Sequence, residues 1–357
     1  VLEDLPEIRH QPLARTILAA ALPPGRPAHA YLFFGPAGVG KRAVARAFAA
    51  GLLAADSPAP QAAYERALRG SHPDLTWVAP TGATAMLVGD IDAAVVGGAN
   101  LTPLESARRV FVLDGADRLN EQAANKLLKT VEEPPPGVHL ILICDREERV
   151  LPTLRSRCQQ VPFRPLSGEA IVASLSAAGV EPSLAQELAE LVDGDGRLAR
   201  WLASEEGVAL RGEIGRVIDG ARGGRVGEQP WASLVDRAKA AGERAAQAVL
   251  DRYAERLEAA SAGERSAVQR ERDEAAHRAA RRGRLEDLDR SLRIAEAELR
   301  RRWREALREP GARPAPNAWE RALVATTELR LRLQQNVGEK LALEGYYQRL
   351  CNLLSSR

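Results

Sequence analysis

The residues best suited to chemistry lie in Leu32-Phe33-Phe34-Gly35-Pro36-Ala37-Gly38-Val39-Gly40-Lys41-Arg42, an apolar run that enters a glycine-rich turn and then a helix-forming segment. The glycines let successive backbone N–H groups curl round a phosphate, the helix start adds its positive dipole end, and Lys41 reaches the outer phosphates. Gly35, Pro36, Ala37, Gly38, Val39, Gly40, Lys41 and Arg42 are therefore the candidate phosphate-binding residues. One position breaks the pattern. Where such a loop needs Ser or Thr to offer a hydroxyl to Mg²⁺, this chain has Arg42, a cation with no acceptor.

The second candidate group closes the run Arg109-Val110-Phe111-Val112-Leu113-Asp114. A parallel sheet delivers such a strand-end carboxylate to its rim, beside a phosphate loop. Asp114 and Asp117 fit a Walker B pattern. In an active hydrolase a Glu directly after the strand-end Asp polarises the attacking water, but Gly115 stands here and can neither accept nor orient a proton. Val138–Cys144 is a continuous apolar run suited to a central strand. It ends in a thiol where a phosphate sensor would need Thr or Asn; a small buried cysteine is the plainer reading.

The elements that must position these groups follow from periodicity and breakers. A helix is expected over residues 6–22, closed by Pro23-Pro24-Gly25, then a strand over 29–34 and a helix over 41–54. A helical segment near 62–68 precedes Ser71-His72-Pro73-Asp74 and a strand over 74–79. The strand 109–114 is followed by a helix over 120–133, stopped by Pro134-Pro135-Pro136, then by strands over 138–144 and 159–163. The expected architecture is a parallel five-stranded sheet flanked by helices. His10 has no second ligand at metal spacing and receives no role.

Composition sets the bounds. A chain of 357 residues is too long for one ordinary core. The hydrophobic fraction of 45% and charged fraction of 27% fit a soluble globular protein, and no apolar run approaches the roughly 20 residues of a membrane span. Val1-Leu2-Glu3-Asp4 lacks the basic-then-apolar layout of a signal peptide, and three cysteines at unrelated spacings make no disulfide framework, so a cytoplasmic location is expected. A net charge of +2 gives no global basic field for nucleic acid.

The order of motifs resembles the clamp-loader branch of the AAA+ family. The resemblance rests on His29-Ala30-Tyr31-Leu32-Phe33, the loop Gly35–Lys41, Asp114-Gly115-Ala116-Asp117-Arg118-Leu119, the run from Ala124 to Pro135, and Leu151-Pro152-Thr153-Leu154-Arg155-Ser156-Arg157-Cys158. It covers about residues 6–165. It implies a pentameric ring of related subunits, with ATP between neighbours, that opens a sliding clamp and places it on primed DNA. In that ring Arg157, in the Ser-Arg-Cys motif, would reach across the interface as a trans arginine finger; the alternative is that it pairs with a local acid. Relatives with a zinc module carry four cysteines before the His-Pro-Asp segment; residues 55–71 hold none, so no zinc is expected. Arg42, Gly115 and Cys144 all depart from what an active motor subunit needs. The expectation is a subunit with no required cofactor, holding ATP at most weakly through Lys41 and the loop amides and without hydrolysis. Two rivals are an ATP-hydrolysing motor subunit and a DNA-binding module with an idle ATPase-like domain.

Three helices are expected over residues 168–178, 183–192 and 197–203, resembling the AAA+ lid, with Arg197 at the position of a second sensor or simply exposed at a helix start. Trp201 reads as core. The stretch Gly220–Gly227 reads as a linker, and residues 231–307 as long, charge-paired exposed helices. Arg278-Ala279-Ala280-Arg281-Arg282-Gly283-Arg284 alternates with nearby acids and lacks interleaved aromatics, which favours a solvated face over a DNA patch. After a break at Pro310–Pro316, the helical run restarts over 318–334 and residues 336–344 resemble the end of a clamp-loader collar, with Tyr346, Tyr347 and Leu350 as packing residues. The fold class is an α/β P-loop AAA+ domain over 1–165, a three-helix lid over 166–227 and an all-α collar over 228–357.

Overall fold

The computed structural model describes residues 6–22, 25–80, 86, 88–259, 261–309, 311–333, 335 and 337–355. The expected breakers Pro23, Pro24 and Pro310, and the positions Gln334 and Asn336, lie outside the described residues. The contacts gather into two compact units, Val1–Ala189 with Asp193–Ala199, and Glu190–Val192 with Arg200–Arg357.

The first unit is built on five parallel strands, β1 (Ala30–Phe34), β2 (Leu75–Val78), β3 (Arg109–Asp114), β4 (Val138–Cys144) and β5 (Gln159–Pro162), in the order β2-β3-β4-β1-β5. Alternation along each strand decides which face a side chain serves. Tyr31, Phe33, Val110, Val112, Ile141, Ile143, Val161 and Phe163 turn to one face, where Val44, Phe48 and Leu52 of α2 (Lys41–Ala54) cover them. Leu32, Phe111, Leu113, Leu140, Leu142 and Cys144 turn to the other, against Ala123, Leu127 and Val131 of α4 (Glu121–Glu132). Tyr31 meets Phe48 edge to face at 4.9 Å, an arrangement worth about 0.5–1.5 kcal/mol beyond area burial. Between these two helices comes α3 (Pro60–Arg69).

The N-terminal helix predicted over 6–22 is divided. A helical turn at Pro6–Arg9 is followed by α1 (Pro12–Ala21), and Gln11 between them is buried. Its amide accepts from Arg164 N at 2.9 Å and donates to Arg164 O at 2.8 Å, tying the chain start to the exit of β5. Helical turns at Val88–Ile91, Asp92–Val96 and Gly97–Ala99, which the sequence did not signal, place Ile91, Val95 and Ala99 in the second core face.

In the region of residues 168–203 the expected helices are present as α5 (Gly168–Ala177), α6 (Pro182–Leu191) and α7 (Gly196–Leu202). The predicted linker at 220–227 differs. Helix α8 (Glu205–Arg222) runs through its first three residues, and only Gly223–Arg225 turn before a 3₁₀ segment at Val226–Glu228. The second unit continues with α9 (Ala232–Ala259), α10 (Ala262–Arg308), α11 (Pro316–Leu333) and α12 (Glu339–Leu354). Helix α10 has 47 residues, about 70 Å at 1.5 Å per residue, and starts with a capping box between Ser261 and Glu264. It pairs with α9 through Val249, Ala276 and Ala279. Trp201 packs within this unit, half-buried beneath the Arg290 guanidinium at 4.7 Å.

One buried acid orders the edge of the sheet. Asp74, fully buried, accepts backbone N–H groups from Leu104 at 2.7 Å, Glu105 at 2.9 Å and Ser106 at 3.0 Å. Burial acts to raise its pKa, but these donors more than offset it and hold the carboxyl below its ordinary value. Asp74→Ala leaves three donors unpaired, at about 1–3 kcal/mol for each that finds no water, and should lower the melting temperature by several degrees at neutral pH. Because the folded pKa is depressed, the Asp74 contribution is complete above the unfolded pKa and lost as pH falls through the folded one. Thermal melts from pH 7 downward should therefore show the gap between wild type and variant closing on the acid side.

Candidate nucleotide site

The glycine-rich loop and the Walker B acids stand at the carboxyl ends of strands β1 and β3. The parallel register sets Phe34 beside Cys144 and Asp114 beside Ile143, so the ends of β1, β4 and β3 form one rim. The glycine-rich turn leaves β1 and feeds α2, whose N-cap is Gly40. Gly38 has a positive φ of 77°, and a Cβ there would lie 1.6 Å from Asp195 Oδ1. Asp195 is itself fixed as the cap of α7, accepting from Leu198 N at 2.8 Å, and Arg197 N donates to Gly38 O at 3.3 Å. The structure thus brings the start of α7 and Arg197 to the loop, with the Arg197 side chain exposed.

Lys41 is buried and its ammonium donates to the carbonyls of Gly35 and Pro36, with Asp145 Oδ1 at 2.9 Å. Arg42 turns to the Walker B acid: its Nε lies 2.6 Å from Asp114 Oδ2. These residues do not fit Mg²⁺. The position that should give the ion a hydroxyl gives a guanidinium, and that guanidinium is bonded to the acid that should help hold the metal. Asp117 is half-buried, its pKa raised by burial and then by the neighbouring Asp145 charge. Asp145 was not singled out in the sequence. The signal was there, since it directly follows a central strand that neighbours β1.

Gly115 carries a physical reason for its identity. Its φ of 108° lies in the left-handed region, and an added Cβ would sit 3.3 Å from Pro80 Cγ. A catalytic Glu cannot be restored there without strain.

Arg157 stands apart from this rim, in the turn between the helical turn Pro152–Arg155 and β5. Its Nη2 lies 2.9 Å from Glu132 Oε1 and its Nη1 donates to Thr153 O at 3.1 Å. Both partners of the ion pair are more than two-fifths exposed, so the pair is weakly held in water. The Arg-rich run of α10 is partly consumed by acids: Arg278 pairs with Glu274 of the same helix and Arg284 with Glu339 of α12.

A glycine-rich loop after β1, an acid at the end of β3 and the strand order β2-β3-β4-β1-β5 define a P-loop domain of the AAA+ class. Residues 10–167 match the family model described as DNA polymerase III, delta subunit. The chain is 35% identical over 200 residues to DNA polymerase III subunit delta' of Pseudomonas aeruginosa, covering 55% of this chain and 61% of that protein. It is 31% identical over 208 residues to subunit delta' of Bacillus subtilis, covering 57% and 63%. The alignments therefore span about three fifths of those relatives. A DNA polymerase III gamma subunit-related protein from Thermotoga maritima shares the fold over 95% of this chain and 99% of its own, with a TM-score of 0.52 at 16% identity. Over the matched residues the chain is therefore similar to DNA polymerase III delta-prime subunits.

Burial pushes the thiols of Cys144 and Cys158 up to about 12, and raises that of Cys351 as well. All three are buried and free. In a thiol-titration assay at pH 8 the native protein should react slowly with none consumed in the first phase, and should release three equivalents once denatured.

Proposed function

We propose that this chain is a non-hydrolysing delta-prime subunit of a DNA polymerase III clamp loader. It would sit in a pentameric ring with delta and gamma/tau subunits, support loading of the sliding clamp onto primer-template DNA during replication, and act in the cytoplasm. The observation that carries the non-hydrolysing role is the Arg42–Asp114 pair, which ties together the two positions that hold the metal in a motor subunit. Gly115 supports it, because its backbone conformation disfavours the water-polarising Glu. An active gamma/tau-like motor would have to replace both functions. Among the described residues no helix is long and apolar enough to cross a membrane.

In this reading Arg157 is the trans arginine finger. Its exposure and weak local pair leave it able to exchange Glu132 for the transferred phosphoryl group of a neighbour's ATP. An arginine suits that task through its fixed charge and forked donors. Clamp- and DNA-stimulated ATP hydrolysis by the reconstituted loader should fall tenfold or more with Arg157→Ala, about 1.4 kcal/mol in the barrier, while the ring still assembles. Arg157→Lys should fall as well, because an ammonium lacks the fork. An unchanged rate with an intact ring would make Arg157 structural.

A further inference from the structure

In a metal-dependent loop, the hydroxyl after the loop lysine and the acid at the end of β3 converge on the ion. Here the same two positions converge on each other. The Arg42 guanidinium therefore stands, by chain position and by its 2.6 Å contact with Asp114, where the cation belongs. Its side chain is 58% exposed and gives Nε to Asp114, so the two Nη groups remain to face a polyanion. Arg197 is also exposed, and its backbone N–H is bonded to Gly38 O. Lys41 is held by Asp145, but that carboxylate is 45% exposed and turns to water at little cost when a better acceptor arrives. A polyphosphate is such an acceptor, because it offers several oxygens at once to the lysine, the loop amides and both arginines.

We propose that the loop takes a nucleoside polyphosphate without a divalent cation, with the Arg42 guanidinium in the metal's place. The sign of the metal effect then inverts. Mg²⁺ chelates the phosphates that Arg42 and Arg197 would bind, and brings a dication beside Arg42, where no hydroxyl completes its coordination shell. In an ordinary loop of this kind the metal supports nucleotide binding; here it competes with it.

This inference rests on the loop being a nucleotide site and not on the trans role of Arg157, so the loader assay and the test below fail independently. The test is a fluorescence titration of the full chain with N-methylanthraniloyl-ATP, once with excess EDTA and once with excess Mg²⁺. Wild type should bind about threefold or more tightly in EDTA. Arg42→Thr, an exposed substitution whose folding is checked by its melting temperature, should reverse the order and bind more tightly with Mg²⁺. Lys41→Ala should lose binding in both buffers. Binding by wild type that requires Mg²⁺, no saturable binding in either buffer, or an Arg42→Thr protein that keeps the wild-type order would each overturn the proposal.

Discussion

The parallel pairing of β1 with β4 is the constraint on which the site depends. It sets Phe34 beside Cys144, so the loop that leaves β1 and the acid that follows β4 emerge side by side. That pairing requires both faces of the sheet to be covered, since a parallel sheet exposed on one face leaves an apolar surface in water. The alternation of large side chains in β1 meets the requirement. Tyr31 and Phe33 fill one layer, Leu32 fills the other, and α2 and α4 close them. The loop inherits its position from this packing, since it joins β1 to α2 and Phe48 of α2 docks against Tyr31 of β1.

Within that frame the site is balanced by its own charges. Lys41 faces Asp145, Arg42 faces Asp114, and the Asp195 carboxylate lies against Gly38. Two of these acids occupy strand ends where a phosphate and a metal would otherwise supply and receive charge. Removing one partner of such a pair leaves the other with a desolvation cost, heaviest for Lys41, which is 5% exposed. Exchanging Arg42, most of whose side chain is already in water, disturbs no packing of its own, and the cost falls on Asp114, which is 10% exposed.

The loop, the strand-end acid and the five strands were legible because each is a local signal. Apolar runs bounded by glycine or proline and an acid closing a run need no tertiary information. Arg157 was legible as part of the Ser-Arg-Cys motif, but its contact with Glu132 was not, because Glu132 ends a helix 25 residues earlier in the chain. Asp74 read only as part of a strand start. Its three donors come from residues 104–106, and no sequence period links the two segments. The Gly/Arg stretch misled for the opposite reason. Local composition favoured a linker, but α8 persists to Arg222 because Ile218 and Ala221 are buried, and Tyr347 then fastens the following turn through its hydroxyl to Arg225 O at 3.1 Å.

The shape of the loop does not rely on a ligand. Gly38 is held beneath Asp195, which is fixed as the cap of α7, and Lys41 spends its donors on two carbonyls of the loop itself and on Asp145. Gln11 ties the residue after β5's exit, Arg164, to the start of α1 beside the same rim. A site stabilised in this way keeps its form with a guanidinium at position 42 and no side chain at position 115. Arg42 is exposed at the rim, and Gly115 adopts a conformation that a side chain would strain. The chemistry at position 42 is therefore separable from the packing, and that at position 115 is not: Arg42 stands in water at the rim, but Gly115 cannot be exchanged for Glu without moving the turn that follows β3.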